Sequence, residues 1–298
     1  MVMIKDNDGV ERYYLKQQVY DLLMRVKEKI TEEDQECWIC FGGDTGCGKS
    51  LMSMRWMFPI FRELTINEVC FDKKEFINCV LQAKKGTGII CDESISILFS
   101  RGSMTKEGRL IAELIAQIRQ KNLAVFLNIP QVISLDWTAQ HKLNAYVHVW
   151  ESRRVTNGNI RTLKGNAAVY PEMSNKPYRT KIIDYMRRKK ANPMMVKKRP
   201  SPLCTVEGDM IGGNCKKPWY PVEESKYREK KESVLKKYDP DKPKLTPLQE
   251  RQMKQRDKAI ILLREQLGMS FGEIAKALDM SKSGVHDLFL RNKGGVEV

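Results

Sequence analysis

The sequence predicts an α/β fold, a mostly parallel sheet flanked by helices, followed by a small all-α unit. Three observations carry this. Short apolar runs alternate with helix-period segments between residues 37 and 150, the pattern of parallel strands joined by crossover helices. The run Gly43-Asp44-Thr45-Gly46-Cys47-Gly48-Lys49-Ser50 fits the phosphate-loop pattern G-x-x-x-x-G-K-[ST] at every fixed position. After residue 245 the chain breaks into short helical segments with cap signals.

Taken in order, Tyr13, Leu15, Val19, Leu22, Leu23, Val26 and Ile30 recur at helical spacing, so residues 1–35 read as a helical lead-in. Cys37 to Phe41 reads as a buried strand and Ser50 to Phe58 as a helix. Glu68 to Phe71 is a strand, Lys73 to Ala83 a helix, Gly88 to Cys91 a strand and Thr105 to Gln120 a helix. Leu123 to Ile129 and Ala145 to Trp150 are strands, and Asn157-Gly158 is a hairpin signal that predicts an antiparallel ribbon up to about Val169. The domain spans 36–177. Residues 178–244 read as a basic linker or extension, with Arg187-Arg188-Lys189-Lys190, proline-spaced Lys197-Lys198-Arg199, and a charged helix over Glu223 to Lys237. Residues 245–298 form the C-terminal unit.

The charge is unevenly placed. Residues 1–150 balance 19 Lys+Arg against 19 Asp+Glu, so the whole net charge of +15 lies in residues 151–298. Such asymmetry points to a polyanionic partner, nucleic acid first. The sequence holds no long apolar window and its first residues lack the pattern of a signal peptide, which predicts a soluble protein of the cytoplasm (the host's, if viral). In such a compartment the 8 cysteines are expected as free thiols. Cys37 and Cys40 form a C-x-x-C, but three residues along a strand put two thiols on opposite faces, so they share no ion. Cys204 and Cys215 flank a glycine-rich turn and give too few ligands for zinc. Cys47, inside an electropositive loop, is expected to favour its thiolate.

Strand, glycine-rich loop and helix are the context a phosphate loop needs. Backbone N–H groups from Gly43, Asp44, Thr45, Gly46, Cys47 and Gly48, with Leu51 in the first helical turn, would cradle a nucleotide at a helix N-terminus. Lys49 reaches the β- and γ-phosphates and Ser50 ligates Mg²⁺. Asp92 ends an apolar strand, where a carboxylate can hold Mg²⁺ through water, and Glu93 can polarise the attacking water as general base. Asn128 and Gln131, at the end of strand Leu123 to Ile129, are alternative amides for orienting that water. Arg119, Arg153 and Arg154 are candidate arginine fingers for a neighbouring subunit.

The Asp-Glu strand end, the helix that follows, and the stretch Arg119-Gln120-Lys121-Asn122-Leu123-Ala124-Val125-Phe126-Leu127-Asn128-Ile129-Pro130-Gln131 with Leu135-Asp136 resemble the zonular-occludens-toxin-like P-loop ATPases of the FtsK–HerA group, over about residues 36–155. Gln131 matches that group's polar sensor. The resemblance implies ATP and Mg²⁺ as ligands, hydrolysis in a homo-oligomeric ring, and coupling to DNA packaging, translocation or virion morphogenesis, with viral structural proteins as further partners. Filamentous-phage members carry a membrane-spanning segment after the ATPase domain, and this sequence has none.

In the C-terminal unit, Thr246, Pro247 and Gln249 open a helix whose apolar face is Ile260, Leu263 and Leu267. Ser270 with Glu273 is a second capping box, Ala275 is small where helices cross, and Ser281 caps a last helix. The pattern resembles a helix-turn-helix of the sigma-factor region-four or resolvase type, with a recognition helix near Lys282 to Asn292. Lys282, Ser283, His286 and Arg291 are its candidate DNA contacts, together with Lys293. A DNA-directed ATP-driven motor accounts for both halves. A nucleotide-dependent DNA-binding regulator of transcription or replication, without translocation, is the alternative.

Overall fold

Period-two alternation of apolar residues sorts the central strands between two cores. A computed structural model describes residues 1–92, 106–135, 137–156, 159–191, 199–207, 219–236 and 247–293. The chain divides into two compact units, 1–237 and 238–298.

The first unit is built on a seven-stranded sheet. Its strands are β3 (Cys37–Gly42), β4 (Val69–Cys70), β5 (Gly88–Cys91), β6 (Ala124–Ile129), β7 (Leu143–Thr156), β8 (Asn159–Tyr170) and β9 (Cys204–Val206), in the order β4-β5-β6-β3-β7-β8-β9. β4, β5, β6, β3 and β7 are parallel neighbours, and β8 and β9 add antiparallel strands at one edge. The result is a mostly parallel sheet flanked by helices, as its apolar runs require: strands buried on both faces have no polar side to show.

Each face has its own core. Cys37, Ile39 and Phe41 of β3, Ile90 of β5 and Phe126 of β6 face a core shared with helices α1 (Gln17–Thr31), α2 (Lys49–Met57) and α7 (Glu224–Lys236). Trp38 and Cys40, Ile89 and Cys91, and Val125 and Leu127 face the other core. That core is covered by α3 (Lys73–Gln82), α4 (Lys106–Gln120), α5 (Trp137–Lys142) and α6 (Lys176–Ala191). Cys37 and Cys40 therefore lie on opposite sides of the sheet, both buried and free. Burial pushes the Cys37 thiol up to about 12. Cys215 lies outside the described residues.

Residues 1–35 are not a helical lead-in throughout. Only α1 is helical. Tyr13 and Leu15 belong to β2 (Glu11–Leu15), which pairs antiparallel with β1 (Val2–Lys5). Asp6 accepts from the N–H groups of Asp8 and Val10, and Gly9 turns the chain at a φ of 81°. The Asp8-Gly9 pair is a hairpin signal. The strand's alternating Tyr13 and Leu15 continue a helical register into Val19, Leu23, Val26 and Ile30, the buried stripe of α1, which masks this signal in the sequence pattern.

Residues 178–244, read as a basic extension, carry most of α6, and β9 and α7, all within the first unit. Arg55, buried on α2, donates through Nε to the Trp219 carbonyl at 2.9 Å. Trp219 stacks on Tyr13 (5.7 Å between ring centroids) and meets Phe58 edge-on. On α7, Tyr227 packs against Phe71, and Lys230 donates to the carbonyls of Ile66 and Val69. The Asn157-Gly158 signal itself lies outside the described residues, but β7 and β8 pair out to Thr156↔Asn159.

The second unit holds α8 (Pro247–Glu265), α9 (Phe271–Ala277) and α10 (Lys282–Lys293). Ile260, Ile274, Ala275, Val285 and Phe289 form its core. Ser270 and Glu273 make the reciprocal capping box that opens α9, and Ser281 Oγ accepts from Gly284 N–H at 3.1 Å at the start of α10. Thr246 lies outside the described residues. Leu267 does not join the apolar face: it is 64% exposed, because α8 ends at Glu265 and Gly268 turns the chain at a φ of 65°. No helix among the described residues is long and apolar enough to cross a membrane.

These positions differ sharply in what they contribute. Ile260→Ala should destabilise the second unit by about 2–5 kcal/mol, while Leu267→Ser should shift it by less than about 0.5 kcal/mol. Chemical denaturation of the full chain, followed by a probe in residues 247–293, reads both.

Candidate functional site

The parallel strands end on one edge of the sheet, and the loop after β3 opens there. Its shape depends on missing side chains. A Cβ at Gly43 would lie 2.0 Å from the Val149 carbonyl oxygen of β7. Gly48 has a φ of 101° and packs against Gly165 of β8. The Gly165 N–H also donates to the Cys47 carbonyl at 2.8 Å, so the loop is tied to the antiparallel edge of the sheet as well as to β3. α2 begins at Lys49, directly after the loop. The Lys49 ammonium is folded over the loop and donates to the carbonyls of Gly43 and Asp44, both at 2.7 Å.

Asp92 follows β5, one step beyond Cys91. Pleat parity puts its side chain on the α2 and α7 face, and the same parity puts Asn128 of β6 there. β6 lies between β3 and β5, so Asn128 stands between the loop's helix and the acid. The three elements converge. Ser50 Oγ donates to Asp92 Oδ1 at 2.8 Å, and Asn128 Nδ2 donates to the same oxygen at 3.0 Å and to Ser53 Oγ at 2.9 Å. Asp92 and Asn128 are both almost wholly buried. The other carboxylate oxygen, Oδ2, accepts from Tyr227 OH at 2.6 Å and lies 3.5 Å from the Lys231 ammonium. Burial, and then the charge of Asp92, push the Tyr227 hydroxyl well above its ordinary range, so it remains a donor.

Lys49, Ser50, Asp92 and Asn128 are thus brought to one place from three distinct stretches of sequence. Gln131 is not part of that hydrogen-bond set: it precedes a short 3₁₀ turn over Val132–Ser134, and its Oε1 is buried without a hydrogen-bond partner among the described residues. Asn128 Oδ1 is likewise buried without one among the described residues. Arg119 stands exposed in the last turn of α4, at the edge where β6 begins. That is the opposite edge of the sheet from Asn128, so Arg119 cannot serve the site of its own chain. Arg153 is exposed on the outer part of β7. Glu93 and the side chain of Arg154 lie outside the described residues.

The expectation for Cys47 is overturned. The residue is 1% exposed, and burial raises its thiol above the ordinary value, with Lys49 only partly offsetting this. A positive loop lowers a thiol's pKa only where the thiolate keeps some solvation.

Tyr227, Lys231, Ser53 and Gly165 went unrecognised in the sequence. The signal for α7 was present: Trp219, Tyr220, Val222, Tyr227 and Val234 are apolar anchors in a charged stretch, and Tyr227 and Lys231 are four apart, on one helix face. Among the candidate DNA contacts, Lys282, Ser283 and His286 are exposed on α10, and His286 sits edge-on to Phe271. The side chains of Arg291 and Lys293 lie outside the described residues.

No protein-family model and no curated protein matches the sequence. Among solved structures, the N-terminal domain of zonular occludens toxin from Neisseria meningitidis is similar at 14% identity, over 50% of this chain and 90% of that one, with a TM-score of 0.34. The genome packaging NTPase B204 from Sulfolobus turreted icosahedral virus 2, in complex with ATP-γ-S, is similar at 12% identity, over 47% of this chain and 93% of that one, also at 0.34. At such values, what the site does has to be read from its own atoms.

The thiol chemistry is directly measurable. At pH 7–8, Cys47 should react with iodoacetamide several-fold more slowly than a free cysteine peptide, as a buried thiol with a raised pKa requires. Mass spectrometry of the peptide containing Cys47 gives the rate, and fast labelling would contradict the buried loop geometry.

Proposed function

We propose that the chain binds and hydrolyses ATP and that hydrolysis drives work on DNA. The observation that carries the nucleotide reading is the Ser50–Asp92 hydrogen bond at 2.8 Å, beside a lysine held over a glycine-shaped loop. A hydroxyl and a carboxylate in contact are hard oxygen donors of the kind magnesium takes, and two donors, a phenol and an ammonium, already satisfy the second carboxylate oxygen. The donor set therefore fits a magnesium–triphosphate. Ser50 and Asp92 would hold the ion, which when bound neutralises phosphate charge as it develops.

The chain's own groups supply the rest. Lys49 turns from the Gly43 and Asp44 carbonyls to the β- and γ-phosphates. Loop N–H groups and the start of α2 bind phosphate oxygens. Glu93, next to Asp92 in sequence, takes the proton of the attacking water. Asn128, whose Oδ1 has no protein partner among the described residues, orients that water, a role that falls to it rather than to Gln131 because, of the two amides, Asn128 is the one that bonds Asp92. Arg119, exposed at the far edge, would act as a finger only on a neighbouring copy in a homo-oligomeric ring.

The work performed is DNA packaging or translocation for a viral or mobile-element genome, with the three helices of residues 247–293 as the DNA-recruiting module. Supporting that assignment are the location of the whole net charge of +15 in residues 151–298 and the exposed Lys282, Ser283 and His286 on α10. Base contacts would come from the N-terminal part of α10, and phosphate contacts from Lys282, Arg291 and Lys293.

Lys49→Ala should abolish nucleotide binding or lower turnover by at least about a hundredfold, of the order lost when one preorganised electrostatic contact is removed. Glu93→Gln should bind ATP and scarcely hydrolyse it, and mixing it with wild type should inhibit a ring more than in proportion. Steady-state ATPase assays with and without duplex DNA, and nucleotide binding by calorimetry, read these outcomes. Deleting residues 245–298 should weaken DNA binding and flatten its dependence on salt. Site-specific footprints with no displacement of a bound roadblock would favour a regulator over a motor.

A further inference from the structure

We infer that α7 is a working part of the nucleotide site, and that Lys231, with Tyr227 beside it, holds Asp92 in the position a magnesium ion and its water would otherwise engage. The inference rests on the nucleotide reading above and adds to it a positioning element that comes from 135 residues further along the chain.

Three observations meet. First, Asp92 is nearly buried, and among the described residues its Oδ2 is served from α7: Tyr227 OH at 2.6 Å and the Lys231 ammonium at 3.5 Å. Second, these two side chains are four residues apart and so project from one helix face onto one oxygen. Third, the helix is anchored independently of that oxygen. Val222 and Tyr227 are buried in the α1 and α2 core, Tyr227 packs on Phe71, Lys230 bonds the carbonyls of Ile66 and Val69, and Arg55 holds the Trp219 carbonyl. The approach of Lys231 is therefore imposed by a docked element and is not a chance surface pairing.

The electrostatic consequence follows from the sign of the charges. An ammonium and a divalent cation cannot both sit against one carboxylate without repelling each other. Lys231 is about one-third exposed, on a long flexible stem, and can swing outward. Tyr227 is neutral and can keep its hydrogen bond. Magnesium entry thus exchanges one cation for another at Asp92, frees the Lys231 end of the side chain, and loosens one of the ties between α7 and the sheet. Lys231 sets the magnesium concentration at which the triphosphate is held.

The experiment is a magnesium titration of binding, not of turnover. A fluorescent, non-hydrolysable ATP analogue is bound to the full chain while Mg²⁺ is raised. Lys231→Met should lower the half-saturating Mg²⁺ concentration threefold or more. Lys231→Arg should stay near wild type, and so should Lys226→Met, which removes a charge from the same helix at a residue paired on the surface with Glu223. In the wild-type chain, amide hydrogen exchange over residues 224–236 should quicken when Mg²⁺ is added to the analogue-bound protein, a readout that needs no variant to fold. Identical titrations for Lys231→Met and wild type, or exchange over α7 that ignores Mg²⁺, would overturn the inference while leaving nucleotide binding intact. An analogue that fails to bind at any Mg²⁺ concentration would overturn the nucleotide reading itself.

Discussion

One buried carboxylate organises the first unit. Asp92 lies at the end of an apolar strand, where an ionised acid without partners would cost several kcal/mol. Its oxygens are met instead by a hydroxyl from α2, an amide from β6, and a phenol and an ammonium from α7. Each of those elements must be placed to within a hydrogen bond. The strand order delivers this: β6 sits between β3 and β5, so its terminal amide falls between the helix that follows β3 and the acid that follows β5. Moving any one of these elements by a strand would leave the acid short of donors.

The loop imposes a second constraint, of shape. Gly43 passes so close to the Val149 carbonyl that no side chain fits, and Gly48 turns against Gly165 with a backbone conformation that side chains resist. β7 and β8 therefore do more than extend the sheet. They supply the wall against which the loop is shaped, and the Gly165 N–H fixes its middle. Tight packing also bears on Cys47, whose thiol burial raises above its ordinary value despite the neighbouring Lys49.

Much of this was legible in the sequence, for reasons that differ by element. The phosphate loop is a covalently local pattern, and β3, β5 and β6 are apolar runs bounded by glycine, charge or proline, so their identities and ends were readable within a residue or two. The hairpin β1–β2 was misread because two residues of a strand can mimic the first turn of a helical stripe. Ser50 and Asp92 were readable as partners through the motif they share, but the partners supplied by α7 were not. The local pattern marks Tyr227 as an apolar anchor with Lys231 on its face, but it does not say what that face meets; only the folded chain brings the two to Asp92. The choice between Asn128 and Gln131 had the same character. Both are amides near a strand end, and pleat parity, known only once the strand's register is known, selects Asn128 for the acid's face.

The same packing changes how the charge of the second half should be counted. Several of its cations act internally. Arg179 is buried and donates to the Met173 carbonyl, Arg199 donates to Tyr170 and stacks over Trp150, Lys230 bonds two carbonyls, and Lys231 faces Asp92. These side chains stabilise the fold and are not free to neutralise phosphates. The exposed end of α6, with Arg187, Arg188, Lys189 and Lys190, and the exposed start of α10 remain available to a polyanion. A net charge read from composition thus overstates the surface on offer, because an element such as α7 spends part of its charge on the site it closes. Salt dependence of DNA binding counts only the cations that meet phosphate, so it measures the exposed remainder and not the excess written in the sequence.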